Sequence, residues 1–466
     1  MSQPTSAAES TTDPVVRRRR AIRGAFWGFL VDSFDIYLPS VALLPAMVYF
    51  TKGLSVEATS LVTGLTFAST LIGRPVGAIL FGRFADRLGR KRVGAIAIYG
   101  FSSVTLIIGL LPGAEQIGGG LAISILLALR FIDGIFLGGE YTAATPMAIE
   151  YAKTNRRGLV GGFVQSASTI GYFAISLVTF VSLTISPAGD IDSPYIQWGW
   201  RIPFFVGAIF AFVVARFLRN NVEESVIWEA AEKSKNPLRD MLTGENRTAF
   251  IQVFLLMTGV FFMVNMVGSV LPQLVLAQDG FTGTTLTVSL IIGNIFIPAA
   301  YWGSGLLSDR VGRRPVLIGC GVLVVLVMTT LFAVLGTKTN LGLPWVITIV
   351  FFLNAVNAAT IGTLPSYINE RFPTSVRSSG WGIGYSLAVI VPGFFAFYQL
   401  GLAQIIPSGL TAAVLVAVGG LLIIITVALS PETRGTDLTT ASMATLHSKG
   451  AEGIAARAAA ASKSNP

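Results

Sequence analysis

Apolar residues gather in twelve long runs, near 24–50, 58–82, 93–112, 119–150, 159–186, 200–218, 249–277, 285–307, 315–336, 345–369, 379–403 and 410–430. Each approaches or exceeds the about 20 residues that a helix needs to cross a bilayer core. The pattern therefore predicts an all-α membrane protein with twelve transmembrane helices. The longest polar interruption, with Arg219, Glu223, Glu224, Lys235, Pro237, Arg239 and Glu245, falls near the middle of the chain. The predicted organisation is a tail over 1–23, a six-helix bundle over 24–218, a linker over 219–248, a second bundle over 249–435 and a tail over 436–466. Both tails are rich in Ser, Thr and Ala and carry no apolar period.

Composition agrees with lipid as the solvent. The chain is 53% hydrophobic and 12% charged, against roughly 25% charged in soluble domains. The net charge of +9 is unevenly placed. Arg17 to Arg20 with Arg23, Arg83 to Arg92, Lys153 to Arg157, Arg219 to Arg247, Arg310 to Arg314, and Arg371 with Arg377 occupy alternate connections. The remaining connections hold little beyond Lys52 and Lys338. Positively charged loops stay inside, so both termini are expected in the cytoplasm and the protein in the cell membrane. Every basic cluster abuts an apolar run, which argues against a nucleic-acid partner. Asp32 and Asp35 interrupt the first run, so it reads as a retained helix rather than a cleaved signal. The single cysteine, Cys320, and the single histidine, His447, allow no intramolecular disulfide and no metal cluster. No metal or cofactor is expected, and carboxylates must carry any proton that moves.

One charged stretch occurs twice. Gly82, Asp86, Arg87 and Arg90 reappear as Gly305, Asp309, Arg310 and Arg313, with Gly82 and Gly305 standing 223 positions apart. Glu150 and Arg157 likewise return as Glu370 and Arg377, 220 positions apart. The chain thus reads as a duplicated, pseudo-symmetric pair of bundles, a common plan in secondary transporters. These ten side chains, Glu150, Arg157, Glu370 and Arg377 among them, are the candidate gate: carboxylates and guanidiniums that pair while the inner face is closed.

Charges within a span are costly and mark functional candidates. Here they belong to the first half: Asp32, Asp35, Arg74, Arg130, Asp133 and Glu140. Asp35, roughly 18 Å along its helix from Arg23, falls near mid-bilayer. It is the first candidate for proton coupling, with Asp32 and Glu140 as alternates. Arg74 sits at similar depth, within plausible reach of the aspartates, and Arg130 and Asp133 at i,i+3 suit a pair within one helix. Arg74 and then Arg201 are the candidate hooks for a substrate carboxylate. Neutral contacts would come from Gln165, Tyr172, Asn265, Asn354, Asn357 and Tyr385.

The two charged loops resemble the signature of the major facilitator superfamily. Arg74-Pro75-Val76-Gly77, Gly138-Gly139-Glu140, Trp198-Gly199-Trp200-Arg201 and Pro431-Glu432-Thr433-Arg434-Gly435 are similar to its metabolite–proton symporter branch. The resemblance spans residues 24–435. It implies the major facilitator fold around a central cavity, and uptake of small carboxylates or zwitterions coupled to protons. The chain departs from that branch at Asp32-Ser33, where a Glu-aromatic pair is usual, and at Asp133, where Gln is usual. No long coiled coil follows residue 435, which speaks against osmosensing. The expected activity is alternating-access import of a small organic acid by a monomer. A proton-coupled exporter is the alternative, with a nontransporting receptor or a membrane enzyme less favoured. No phosphate-cradling Gly-x-x-x-x-Gly-Lys loop is present.

Overall fold

The computed structural model describes residues 13–232 and 234–438. Most of the two expected tails lies outside the described residues. Twelve helices are long and apolar enough to span a bilayer. They are α1 (Pro14–Ala46), α2 (Leu61–Leu88), α3 (Arg90–Gly109), α4 (Gly119–Tyr151), α5 (Thr154–Ile185) and α6 (Tyr195–Asn221) in the first half. The second half holds α7 (Gly244–Leu276), α8 (Ser289–Val311), α9 (Arg313–Thr337), α10 (Leu343–Glu370), α11 (Arg377–Leu402) and α12 (Ser408–Ala428). The expected number stands, but α1 begins ten residues early. Asp13 accepts a hydrogen bond from the Val15 amide at 2.8 Å, and Pro14 occupies the first helical turn, where its missing N–H costs nothing. The leading arginines therefore ride on a helix that emerges from the apolar zone.

Within the first half α2 packs along α4, α3 against α4 and α6, and α1 against α5. Two glycine pairs set the closest of these contacts. A Cβ on Gly73 or Gly77 of α2 would overlap the carbonyls of Phe131 or Ile135. One on Gly134 or Gly138 of α4 would overlap those of Thr70 or Arg74. Small residues four apart on both helices let the backbones touch, which is how helices associate where lipid removes the hydrophobic drive. Large apolar side chains such as Leu177, Phe180 and Leu326 lie on the outer surface, where lipid would cover them.

The two bundles meet along α2 and α11, α5 and α8, and α5 and α10. Hydrogen bonds between them gather at the end that carries the charged loops. Gly89 and Gly312 turn the chain there with φ of 103° and 117°, a conformation reserved for glycine. Each turn is closed by a glutamate from just beyond the last helix of its own half. Glu224 accepts the amides of Arg90 and Lys91 at 3.0 and 3.1 Å, and Glu432 those of Arg313 and Arg314 at 2.8 and 3.0 Å. Burial raises the Glu224 carboxyl above its ordinary range, while the Ser225 amide and the Arg90 guanidinium draw it back down.

Candidate functional site

A cavity of about 250 Å³ lies between the bundles. The first bundle contributes Phe29, Asp32 and Ser33 from α1, Phe67 and Arg74 from α2, and Gln165 from α5. The second contributes Met257, Phe261 and Asn265 from α7, Tyr301 from α8, Asn357 from α10 and Tyr385 from α11. Among the described residues the only charged ones on its wall are Asp32 and Arg74. Both Asp32 oxygens accept from Arg74 Nη2, at 3.2 and 3.0 Å. The Asp32 side chain is 2% exposed and that of Arg74 13%, so the guanidinium is the more available partner. Arg74 owes its place to the tight crossing at Gly138, which holds its backbone against α4.

Asp35 points elsewhere. Three residues advance a helix by about 300°, so its side chain diverges by about 60° from that of Asp32 and enters the interior of the first bundle. There it accepts from Thr105 Oγ1 and from Arg130 Nη1, the latter at 3.3 Å. Arg130 also meets Asp133 at 3.0 Å and Thr70 Oγ1 at 3.0 Å. This network ties α1, α2, α3 and α4 together behind the cavity wall. Of the two aspartates it is therefore Asp32, and not Asp35, that lines the cavity. Glu140 is buried against Gly28 of α1, and neither of its oxygens has a hydrogen-bond partner among the described residues. It too stays off the cavity wall.

Several expected substrate contacts are likewise placed outside the cavity. Arg201 Nη2 donates to Tyr49 Oη and the Leu111 carbonyl, both at 2.9 Å, and its Nη1 donates to the Gln197 carbonyl at 3.0 Å. Its guanidinium lies 4.5 Å from the Trp200 ring centre and 4.9 Å from that of Tyr49. These partners all belong to the first bundle, so it serves as an internal tie. Arg201→Lys is expected to cost about 1–2 kcal/mol of stability, because an ammonium cannot reproduce this fork and stack. A lowered melting temperature with unchanged apparent substrate affinity would check this. Asn354 donates to the Val350 carbonyl of its own helix at 2.9 Å, and Tyr172 packs edge-on behind Tyr37 at 4.9 Å. Neither reaches the cavity.

Tyr141, Trp381 and Tyr385 stack into an aromatic floor with ring centres 4.6–5.8 Å apart. Trp381 Nε1 donates across the bundles to the Tyr141 carbonyl at 3.2 Å. Spacing alone did not single out Tyr141 and Trp381, since aromatic residues abound in these spans.

Beyond that floor lie two pseudo-equivalent charged clusters. Asp86 accepts the amides of Ser378 and Ser379 at 3.0 and 2.9 Å, capping α11 of the opposite bundle. Asp309 accepts those of Gly158 and Leu159 at 2.8 and 2.9 Å, near the start of α5. A carboxylate at a helix start meets both free N–H groups and the positive end of the dipole. Glu150 binds Arg377 across the bundles and Arg90 at 3.2 Å. In the other cluster Glu370 meets Arg313 at 3.1 Å and Arg157 at 3.6 Å. Arg87 and Arg310 are exposed and join no ion pair among the described residues. A short carboxy-terminal strap adds to the closure: Arg157 donates to the Thr436 carbonyl at 2.6 Å and Arg377 to that of Leu438 at 3.1 Å.

Arg377→Gln would leave Glu150 with a weaker partner and loosen this end. In a Cys320→Ala background, Ser379→Cys introduces a single thiol at a buried site beside the Asp86 carboxylate. Labelling of that thiol by a membrane-impermeant maleimide is expected to rise roughly tenfold or more on adding Arg377→Gln, given the cost of breaking a buried pair. Equal labelling would show that the pair does not hold the closure.

The profile of the Major Facilitator Superfamily matches residues 25–396. The inner membrane metabolite transport protein YhjE of Escherichia coli is 30% identical over 84% of this chain and 89% of its own. The alpha-ketoglutarate permease of the same organism is 31% identical over 85% and 90%, and its shikimate transporter 29% over 81% and 86%. Among solved structures the proton:xylose symporter XylE superposes with a TM-score of 0.72 at 19% identity, covering 92% of this chain and 98% of XylE. Two six-helix bundles, a cavity between them and twin charged loops agree with these likenesses, and the chain belongs to the major facilitator superfamily as a multi-pass membrane transporter.

Proposed function

We propose that the protein is a proton-coupled importer of a small organic acid, working by alternating access with the charged end in the cytoplasm. The observation that carries this reading is the Asp32–Arg74 pair, the only charges on the cavity wall. While Asp32 is ionised, Arg74 is engaged. A proton on Asp32 replaces an ion pair by a weaker contact and frees the guanidinium for a substrate carboxylate. Proton and anion then enter together. The other titratable groups near the pair are Asp35, Tyr37, Asp133, Glu140, Tyr141 and Tyr385. None of them supplies a second cation at the wall.

Opening toward the cytoplasm would break the caps at Asp86 and Asp309 and the ion pairs of Glu150 and Glu370. Contacts that join the bundles at one end and are broken at the other stage are what alternating access requires. The names of the relatives, an alpha-ketoglutarate permease and a shikimate transporter among them, lend support to a carboxylate cargo. The test is uptake into proteoliposomes of a labelled panel of organic acids under an inside-alkaline pH gradient. Gradient-dependent accumulation is expected. Extrusion driven by the same inward proton gradient would favour a proton-coupled exporter, and saturable binding without flux would favour a receptor.

A further inference from the structure

Resting on the proposed transport reading, we infer that the cargo bears one carboxylate and, on the side facing the second bundle, a neutral hydrogen-bond donor taken by Asn357.

The charge count comes first. Arg74 is the single cation on the cavity wall, and the second bundle lines it without any charge. The second bundle's share of the wall includes Met257, Val260 and Phe261. A second carboxylate on the cargo would be desolvated against these side chains with no counter-charge, a state that proteins avoid. An ammonium fares no better as a symported group. Its partner would be Asp32, and holding Asp32 ionised would leave no site for the proton. The cargo's remaining polarity must therefore be neutral.

The placement of that polarity follows from the amides. Three carboxamides line the cavity. Gln165 accepts from Tyr141 Oη at 3.3 Å, and Asn265 donates to the Pro392 carbonyl at 3.0 Å. Asn357 is different: its Oδ1 is buried and has no hydrogen-bond partner among the described residues. A buried acceptor left empty is unfavourable, so a cargo hydroxyl that fills it gains more than one placed against the apolar wall. Arg74 belongs to the first bundle and Asn357 to the second. A cargo held by both ties the bundles through itself and draws them together more firmly than one held by Arg74 alone. The cavity volume, near the lower end for small-molecule sites, limits that molecule to a compact frame.

The test uses full-length protein in proteoliposomes with an inside-alkaline gradient and four labelled probes on one frame. These are cyclohexanecarboxylates bearing hydrogen, hydroxyl, carboxylate or ammonium on the ring carbon opposite the carboxylate. The hydroxyl probe should be taken up fastest, by roughly 10- to 100-fold in kcat/KM over the dicarboxylate and the zwitterion. Asn357→Leu should erase most of the preference for hydroxyl over hydrogen, read as the ratio of the two uptake rates in one preparation, and a monodisperse gel-filtration peak in detergent reports that the variant is folded. Equal or better uptake of the dicarboxylate or the zwitterion would overturn the inference while leaving proton-coupled transport intact. An unchanged hydroxyl preference in Asn357→Leu would overturn the role of Asn357. Failure of every probe to respond to the gradient would bring down the transport reading and this inference with it.

Discussion

Asp32→Asn is expected to abolish gradient-driven accumulation while sparing exchange. Asparagine is the shape of a protonated aspartate that cannot lose its proton. Arg74 would stay available to a carboxylate at every pH, so labelled substrate should still exchange against unlabelled substrate across the membrane. A pH unit is worth about 1.4 kcal/mol per proton, so wild type should accumulate about tenfold per unit for each proton coupled. The variant should only equilibrate. Asp35→Asn is the informative contrast. Asp35 is held inside the first bundle by Thr105 and Arg130, and Arg130 keeps Asp133 when Asp35 is neutralised. Its loss should lower stability by about 1–3 kcal/mol and leave the gradient response in place. The reverse outcome, coupling lost in Asp35→Asn and kept in Asp32→Asn, would move the proton site into that inner network.

Gly77→Leu should be severely damaging to the fold. Its new side chain would meet the Ile135 carbonyl. Overfilling a side-chain core typically costs 1–3 kcal/mol because neighbours can shift. A carbonyl within an α-helix has no such freedom, so α2 and α4 would have to part along their length. Arg74, one turn away and resting on Gly138, would leave the cavity wall with them. The variant is expected to lose its monodisperse peak on gel filtration in detergent. Gly64→Leu on the same helix is the control, since nothing lies within 4 Å of the position. Similar behaviour of the two variants would mean that leucine itself, rather than the crossing, is at fault.

Much of this architecture was legible before any coordinates. Length and hydropathy determine where helices cross, and the doubled loop, with offsets of 223 and 220 residues, gives away the pseudo-symmetry and the charged end. Depth and spacing placed Arg74 within reach of the two aspartates and Arg130 beside Asp133. What spacing could not decide was which side of a helix faces the cavity. Asp32 and Asp35 share a stripe about 60° wide, and the cavity edge runs between them. Asn354 and Asn357 divide in the same way. Arg201 was misjudged for a different reason: its partners Tyr49 and Leu111 are distant in sequence, and no local pattern announces them. The turn-closing roles of Glu224 and Glu432 were hidden as well, because their partners are backbone amides, which carry no sequence signature.

Those two glutamates bear on how the chain is made. Each closes a turn within its own half, whereas Asp86 and Asp309 cap helices of the other. During synthesis the first half can complete its Glu224 clamp as soon as that residue leaves the ribosome, but Asp86 must wait until Ser378 and Ser379 exist. Biogenesis therefore separates two classes of bond, early ones that build a half and late ones that join the halves. The late bonds form last on the path to the native state, and they are the ones that the proposed alternating-access cycle breaks and remakes, so on that proposal the final step of assembly and the repeated step of transport are one event.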